Sequence, residues 1–245
     1  MCVEGEAMRT FPLLAAALTL VVAATPLGAA TRNFGVTSFE KVRVDGPYKV
    51  RLATGVAPFA RVMGSPAATD RVVIEMLGNT LVIHPSASSW GGDPRNDPGP
   101  VEIEIGTHDL AQVYVNGSGS ISIDRVKGLS FGLTLQGSGL ASIEAADVDQ
   151  LKVNLVGNSS ARLAGRAGQM TAVIRGISTL DAANLSVKDA TLGVEGTSTA
   201  GANISNSVTV DASGPASVRL DGRPSCTLHV RGSATVTGCA SSSMN

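Results

Sequence analysis

Aromatic residues are scarce in this sequence: Phe, Trp and Tyr together make up 3% of its 245 residues. A compact core usually depends on Leu and Phe, so this one has to be thin and filled by small side chains, which suits layered β structure. Positive and negative side chains are nearly equal in number, with a net charge of −1. The balance gives no electrostatic reason to expect a nucleic-acid partner or an anionic membrane surface.

Catalytic and cofactor motifs are also lacking. His84, His108 and His229 have no cysteine or acidic partner at metal-ligand spacing, so no zinc site is expected. No G-x-S-x-G nucleophile elbow stands between a strand and a helix. The recurring "GSG" is not followed by the Lys-Ser/Thr pair of a phosphate loop. We therefore expect no catalytic residues, no cofactor and no metal.

An apolar stretch near the start predicts an export signal. Arg9 precedes "FPLLAAALTLVVAATPLGAA", which ends in small residues and favours cleavage after Ala30, with Ala29 as the alternative. The acidic "MCVEGEA" is wrong for the positive end of a signal, so Met8 is the expected start of translation. The signal peptide is thus assigned to residues 1–30.

A transmembrane anchor is the competing interpretation of this stretch. Thr25, Pro26 and Gly28 interrupt the apolar run before it reaches the ~20 residues that a membrane-spanning helix needs. We expect an exported protein, periplasmic or extracellular and associated with the cell envelope, with no membrane span after signal removal.

Two cysteines remain after export, Cys226 and Cys239. An even pair in an oxidising compartment predicts a disulfide that closes a short C-terminal loop. Two buried free thiols are the alternative.

A glycine flanked by alternating apolar residues recurs about every 20 residues, and it carries the fold prediction. Apolar residues stand four and two positions before it and four and six positions after it, as in "VYVNGSGSISI". Period-2 alternation on both sides of a glycine indicates a strand, a sharp corner and a second strand. The glycines with this spacing are Gly117, Gly137, Gly157, Gly176, Gly196, Gly214 and Gly232, and Gly46 has the same flanking pattern in the N-terminal part, outside the period.

One such unit cannot bury its apolar face alone, so successive units must stack. We predict an all-β chain folded as a right-handed parallel β-helix with coils of ~20 residues. Residues 31–245 form its single domain, with a capping region over 31–110 and the repeats over 111–240. The glycines are then structural corners rather than a ligand cradle.

The outward-facing columns of this β-helix hold few charges. Arg175 is expected to lie one coil from Glu195, and Arg162 one coil from Asp181, as solvated ion pairs rather than a catalytic arrangement. Trp90, in the Gly- and Pro-rich stretch 85–100, is the one candidate ligand contact. It could stack on a sugar ring or a partner chain, or fold back over the cap.

Three segments carry a resemblance to a known family: "FEKVRVDGPYKVRL", "LGNTLVIHP" and "VEIEIGTHDLAQVYVNGSGSISI". Followed by the glycine repeat, they resemble the bacterial domain of unknown function described as "putative autotransporter adhesin, head GIN domain". The resemblance covers roughly Phe39 to Thr237. It implies an exported right-handed β-helix at the cell envelope, of adhesive function and without catalytic residues.

The expected function is therefore a non-enzymatic binding or structural module of the envelope, with an envelope glycan or protein as partner. A carbohydrate-active β-helix enzyme, lyase or glycosidase, is the alternative, and two or three carboxylates clustered on one outer face would support it. Self-association through the ends of the solenoid is a third interpretation, because no polar cap follows Gly238.

Overall fold

Strands make up nearly all of the regular secondary structure, in a computed structural model that describes residues 30–87 and 99–244. The signal segment 1–29 and the part of the Pro-rich stretch that contains Trp90 lie outside the described residues. The described elements are β1 (Ala30–Phe34), β2 (Lys41–Asp45), β3 (Lys49–Thr54), β4 (Phe59–Gly64), α1 (Pro66–Thr69), β5 (Val72–Leu77), β6 (Thr80–Pro85), β7 (Glu102–Thr107), β8 (Gln112–Gly117), β9 (Ser120–Gly137), β10 (Leu140–Gly157), β11 (Ser160–Gly176), β12 (Thr179–Gly196), β13 (Thr199–Ser213), β14 (Ser217–Asp221), β15 (Ser225–Arg231), β16 (Thr235–Thr237) and β17 (Ser241–Met244).

Strands β8 to β17 stack in parallel as a β-solenoid of about six turns, which confirms the predicted fold. The long strands β9 to β13 each bend around the solenoid. Their segments before the corner glycines form face A, those after the corners form face B, and the segments between form face C. In this stack each strand segment is one rung of a face, ~4.8 Å from the next.

The core is a set of columns of small apolar side chains, as the alternation predicts. On face B the inward column includes Ile121, Ala141, Ala161 and Leu180, each at most 6% exposed. The last coil departs from this pattern, because Val230 is 41% exposed.

The eight glycines lie at the junction between faces A and B, and each has a positive φ, from +76° at Gly232 to +123° at Gly46. They stack on one another: a Cβ placed on Gly176 would lie 2.5 Å from the carbonyl oxygen of Gly157. The corner column therefore requires glycine for both backbone conformation and space.

Buried serine hydroxyls form hydrogen bonds inside the solenoid at the middle corners. The Ser178 hydroxyl lies 3.2 Å from the carbonyl oxygen of Gly157 and 3.0 Å from that of Arg175, and it accepts from the Ser159 amide at 3.3 Å. Ser198 repeats the arrangement one coil further on. Each buried hydroxyl thus finds partners on its own coil and on the neighbouring ones.

Part of the predicted capping region is itself a solenoid coil. β2 pairs in parallel with β8, and β3 with β9, in register with the repeats, so Gly46 stacks under Gly117. On the opposite edges of β2 and β3, strands β6 and β7 pair with them in parallel. Three antiparallel pairs complete this region: β5 with β6, β4 with β7, and β1 with β4. The chain therefore forms one coil with β2 and β3, then the end layers with β4 to β7. Strands β8 and β9 stack on the opposite side of that first coil.

The last turn contains a disulfide between Cys226 and Cys239. Cys226 points into the core at 3% exposure, directly above Val208. Among the described strands, β16 pairs only with β14 and β17 only with β15, so the final coil presents an open edge. Association through this edge remains a prediction, which sedimentation at increasing concentration would test.

The short α1 begins at the cap Ser65, whose side chain accepts from the Ala68 amide. Within the described ranges, no helix has the length and apolar character needed to cross a membrane.

A candidate binding groove on face B

Two adjacent outward columns of face B enclose an open groove that runs along the solenoid axis. Five consecutive rungs contribute to it, from β3 through β12, so it spans four strand spacings, or ~19 Å. One column is Lys49, Ser120, Leu140, Ser160 and Thr179, and the other is Arg51, Ser122, Ser142, Arg162 and Asp181.

The groove exists because side-chain size changes along these columns. Ser122 and Ser142 are short, whereas Arg51 and Arg162, which flank them in the same column, are long. The depression between them has a volume of about 640 Å³. Leu140 lies in the middle and is 53% exposed, so the groove has an apolar patch among hydroxyls.

Ion pairs hold the cations at the β3 end. One Glu102 carboxylate oxygen lies 2.7 Å from an Arg51 guanidinium nitrogen and 3.1 Å from Lys49 Nζ. That oxygen is shielded from solvent and neither approach has hydrogen-bond geometry, so the contacts are ionic. Glu104 is shared between Arg51 and Arg61, at 4.0 and 3.3 Å.

A second ion pair closes the other end. Arg162 Nε donates to Asp181 at 3.2 Å. The expectation that these two residues meet across one coil is confirmed, as is the contact of Arg175 with Glu195 at 3.0 Å on face A. Arg162 is largely exposed and Asp181 partly exposed, so both are accessible to a ligand.

A second depression of about 360 Å³ adjoins the groove and shares Arg51 and Ser122 with it. Carboxylates border it, those of Glu104, Asp124 and Glu144. Asp124 accepts from the Thr54 amide at 3.0 Å, which ties one of these carboxylates to the backbone. Phe59 adds an aromatic ring to the lining.

No group of three or more His, Cys, Asp and Glu side chains within residues 30–87 and 99–244 has the arrangement of a metal site. His84 lies 3.3 Å from Glu75, in the antiparallel β5–β6 pair. The three carboxylates around the second depression therefore do not form such a group.

Two carboxyl groups whose pKa is shifted, Asp147 and Asp189, lie on face C, away from the groove. Arg166 donates to both oxygens of Asp147 at 2.7 and 2.8 Å, and this hydrogen bonding lowers the pKa of Asp147. Hydrogen bonds from Ser207 and Asn206 lower the pKa of Asp189 in the same way. These contacts tie neighbouring coils together.

None of the corner glycines and cysteines singled out from the sequence lines the groove, and Trp90 lies in a stretch that the structure does not describe. The eight glycines form the corner edge beside it, and the two cysteines lie in the last turn. The repeat does predict the column Ser122, Ser142, Arg162, Asp181. It does not reveal Arg51, because that residue belongs to a coil separated from the repeats by the end layers.

The family description "putative auto-transporter adhesin, head GIN domain" belongs to a family model that matches residues 38–224, most of the chain. No protein with a curated description matches this chain.

Several solved structures are similar in fold. A putative adhesin from Bacteroides fragilis NCTC 9343 superimposes with a TM-score of 0.72 at 17% identity, covering 89% of this chain and 96% of that one. A putative lipid binding protein from Parabacteroides distasonis ATCC 8503 gives a TM-score of 0.64 at 16% identity, covering 85% of this chain and 95% of that one. A putative adhesin from Parabacteroides merdae ATCC 43184 gives a TM-score of 0.64 at 14% identity, with the same coverage. At these identities the likeness concerns the fold.

Proposed function

This chain belongs to the family described as "putative auto-transporter adhesin, head GIN domain", and on that premise we propose that it is an exported, non-enzymatic module that binds a component of the cell envelope through face B. The groove that runs from Arg51 to Asp181 is the observation that carries the proposal. It is the larger of the two adjoining depressions on this face, and it is built from stacked strands.

The lining of the groove suits binding. Ligand sites combine an apolar surface with a few placed polar groups, and here an exposed Leu140 lies between rows of hydroxyls and two sets of ion-paired arginines. An exposed ion pair such as Arg162–Asp181 contributes only ~0–1 kcal/mol to stability, so a ligand can share these two groups with little loss of stability.

Export is supported by the N-terminal apolar stretch, which ends in small residues as signal peptides do. The Cys226–Cys239 disulfide agrees with an oxidising compartment. The family description points in the same direction.

Binding of the exported chain, residues 31–245, to isolated envelope fractions and to a glycan array tests the proposal. Ser122→Trp would fill the point that both depressions share and should abolish saturable binding. Thr191→Trp, a similar enlargement of a hydroxyl residue at an exposed outward position of face A, should leave binding intact. Trp90→Ala reports separately on the 85–100 stretch. Binding that survives Ser122→Trp and fails in Trp90→Ala would move the site to that stretch, and no binding to any fraction would refute the proposal.

A carbohydrate-active enzyme is the second candidate, and the carboxylates around the smaller depression favour it. Glycosidases use a pair of carboxyl groups that flank the scissile bond. Ile143 pairs with Ile123, which places the next residues, Glu144 and Asp124, on adjacent rungs. Release of reducing ends from envelope polysaccharide, lost in Glu144→Gln, would establish this activity and overturn the non-enzymatic assignment.

A further inference from the structure

We propose that the ligand of the face B groove is an extended, uncharged glycan that lies along the solenoid axis with roughly one sugar on each rung. This inference rests on the proposed function and specifies its ligand class. Three features of the groove support it: the oppositely charged neighbour of each charged group, the alternation of hydroxyls with one apolar patch, and the length.

Each charged group that lines the groove has an oppositely charged neighbour. Lys49 and Arg51 lie against Glu102, Arg51 also approaches Glu104, and Arg162 faces Asp181. An acidic polymer would meet the carboxylates of the adjoining depression, and a basic polymer would meet the arginines. A neutral sugar hydroxyl both donates and accepts, so a paired guanidinium and carboxylate satisfy it without excess charge.

The centre of the groove matches the two surfaces of a sugar ring. Ser120, Ser122, Ser142 and Ser160 surround Leu140, whose side chain is half exposed. Ring hydroxyls can bond to the serines while the C–H face of the ring covers the leucine. Arg and carboxylate groups at both ends then limit how far a bound chain can slide.

The spacing of the rungs sets the length dependence. Adjacent rungs lie ~4.8 Å apart. This distance is close to the length that each sugar adds to an extended β-linked glycan. The five rungs of the groove therefore accommodate about four or five sugars. A site for one sugar ring or for a lipid headgroup would show no such dependence.

Titration calorimetry of residues 31–245 with linear β-(1→4)-linked gluco-, manno-, xylo- and N-acetylgluco-oligosaccharides tests the proposal. Affinity for at least one series should rise with length and level off at about four or five sugars. It should change little between about 50 and about 500 mM NaCl, because no net charge is neutralised.

Arg162→Ala should weaken binding by about tenfold, the effect of losing hydrogen bonds from a charged group. Arg219→Ala is the matched control: this residue stands in the same outward column beyond the groove, pairs with Asp221, and is 77% exposed against 76% for Arg162. Leu140→Ser should weaken binding by about fivefold through lost apolar contact, whereas Leu129→Ser, at a position 78% exposed outside the groove, should not.

Other outcomes overturn the inference and are distinguishable from failure of the proposed function. If envelope fractions bind and Ser122→Trp abolishes that binding, but none of the four oligosaccharide series binds, the groove is a site for another ligand. Binding of polygalacturonate that falls steeply with salt would assign an acidic glycan instead. Binding of phosphatidylglycerol vesicles in the absence of oligosaccharide binding would assign a lipid surface.

Discussion

Replacing Gly176 with alanine tests the central structural argument, that the corner column needs glycine because adjacent coils leave no room for a side chain. The φ of Gly176 is +92°, and its Cβ would lie 2.5 Å from the carbonyl oxygen of Gly157. Positive φ costs a non-glycine residue about 1–2 kcal/mol, and an extra methyl in a packed region about 1–3 kcal/mol. We expect a destabilisation of about 2–5 kcal/mol.

Two other glycines separate these contributions. Gly55 has a φ of +72°, and nothing lies within 4 Å of the position that a Cβ would take, so Gly55→Ala should cost only the conformational part, about 1–2 kcal/mol. Gly193 lies in a strand with its nearest neighbour at 3.9 Å, so Gly193→Ala should stabilise the protein by about 0.5–1 kcal/mol.

Urea unfolding followed by far-UV circular dichroism gives the three free-energy differences. Because stacked coils can open separately, amide hydrogen exchange is the second assay. The Ile177 amide donates to the Gly157 carbonyl oxygen at 2.8 Å, and the added methyl must push this oxygen away. Protection of Ile177 should therefore fall in Gly176→Ala. Equal losses for Gly176→Ala and Gly55→Ala, with Ile177 still protected, would refute the packing argument.

The remaining predictions concern the disulfide and one ion pair. Reduction of Cys226–Cys239, or its replacement by serines, should lower the stability of the last turn by about 3 kcal/mol through loop entropy; unchanged exchange rates in β15 on adding dithiothreitol would contradict this. Arg166 holds the pKa of Asp147 below its ordinary value, so the stability from this pair is present above the unfolded pKa of about 3.9 and lost as pH falls through the lower folded pKa. Arg166→Gln should raise the pKa of Asp147 in a carboxyl NMR titration, and an unchanged pKa would show that the pair does not form in solution.

Much of the solenoid could be predicted because every coil repeats the same local requirements. Alternation around a glycine specifies two strands and a corner, and the period of ~20 residues specifies what stacks on what. The meeting of Arg162 with Asp181 follows directly, since residues one period apart must be neighbours. Positions such as Val230 deviate where the stack ends and no further coil covers them.

The groove could be predicted only in part. Ser122 and Ser142 stand in a column that the period reveals, but Arg51 joins that column from a coil outside the repeats. The residues that follow β3 form end layers before the chain returns, so sequence distance no longer indicates the rung. Glu102 likewise meets Lys49 and Arg51 only through the pairing of β7 with β3.

Local chemistry in the sequence determined the coil itself: glycine where φ must be positive, small apolar residues inward, and hydroxyls or charges outward. Those choices depend on near neighbours and on a repeat length, and both can be read along the chain. Only the tertiary structure decided which outward columns adjoin the non-repetitive N-terminal strands. Because long arginine side chains there and at Arg162 bound a run of short serines, a groove forms on face B, and its position depends on contacts between residues far apart in the sequence.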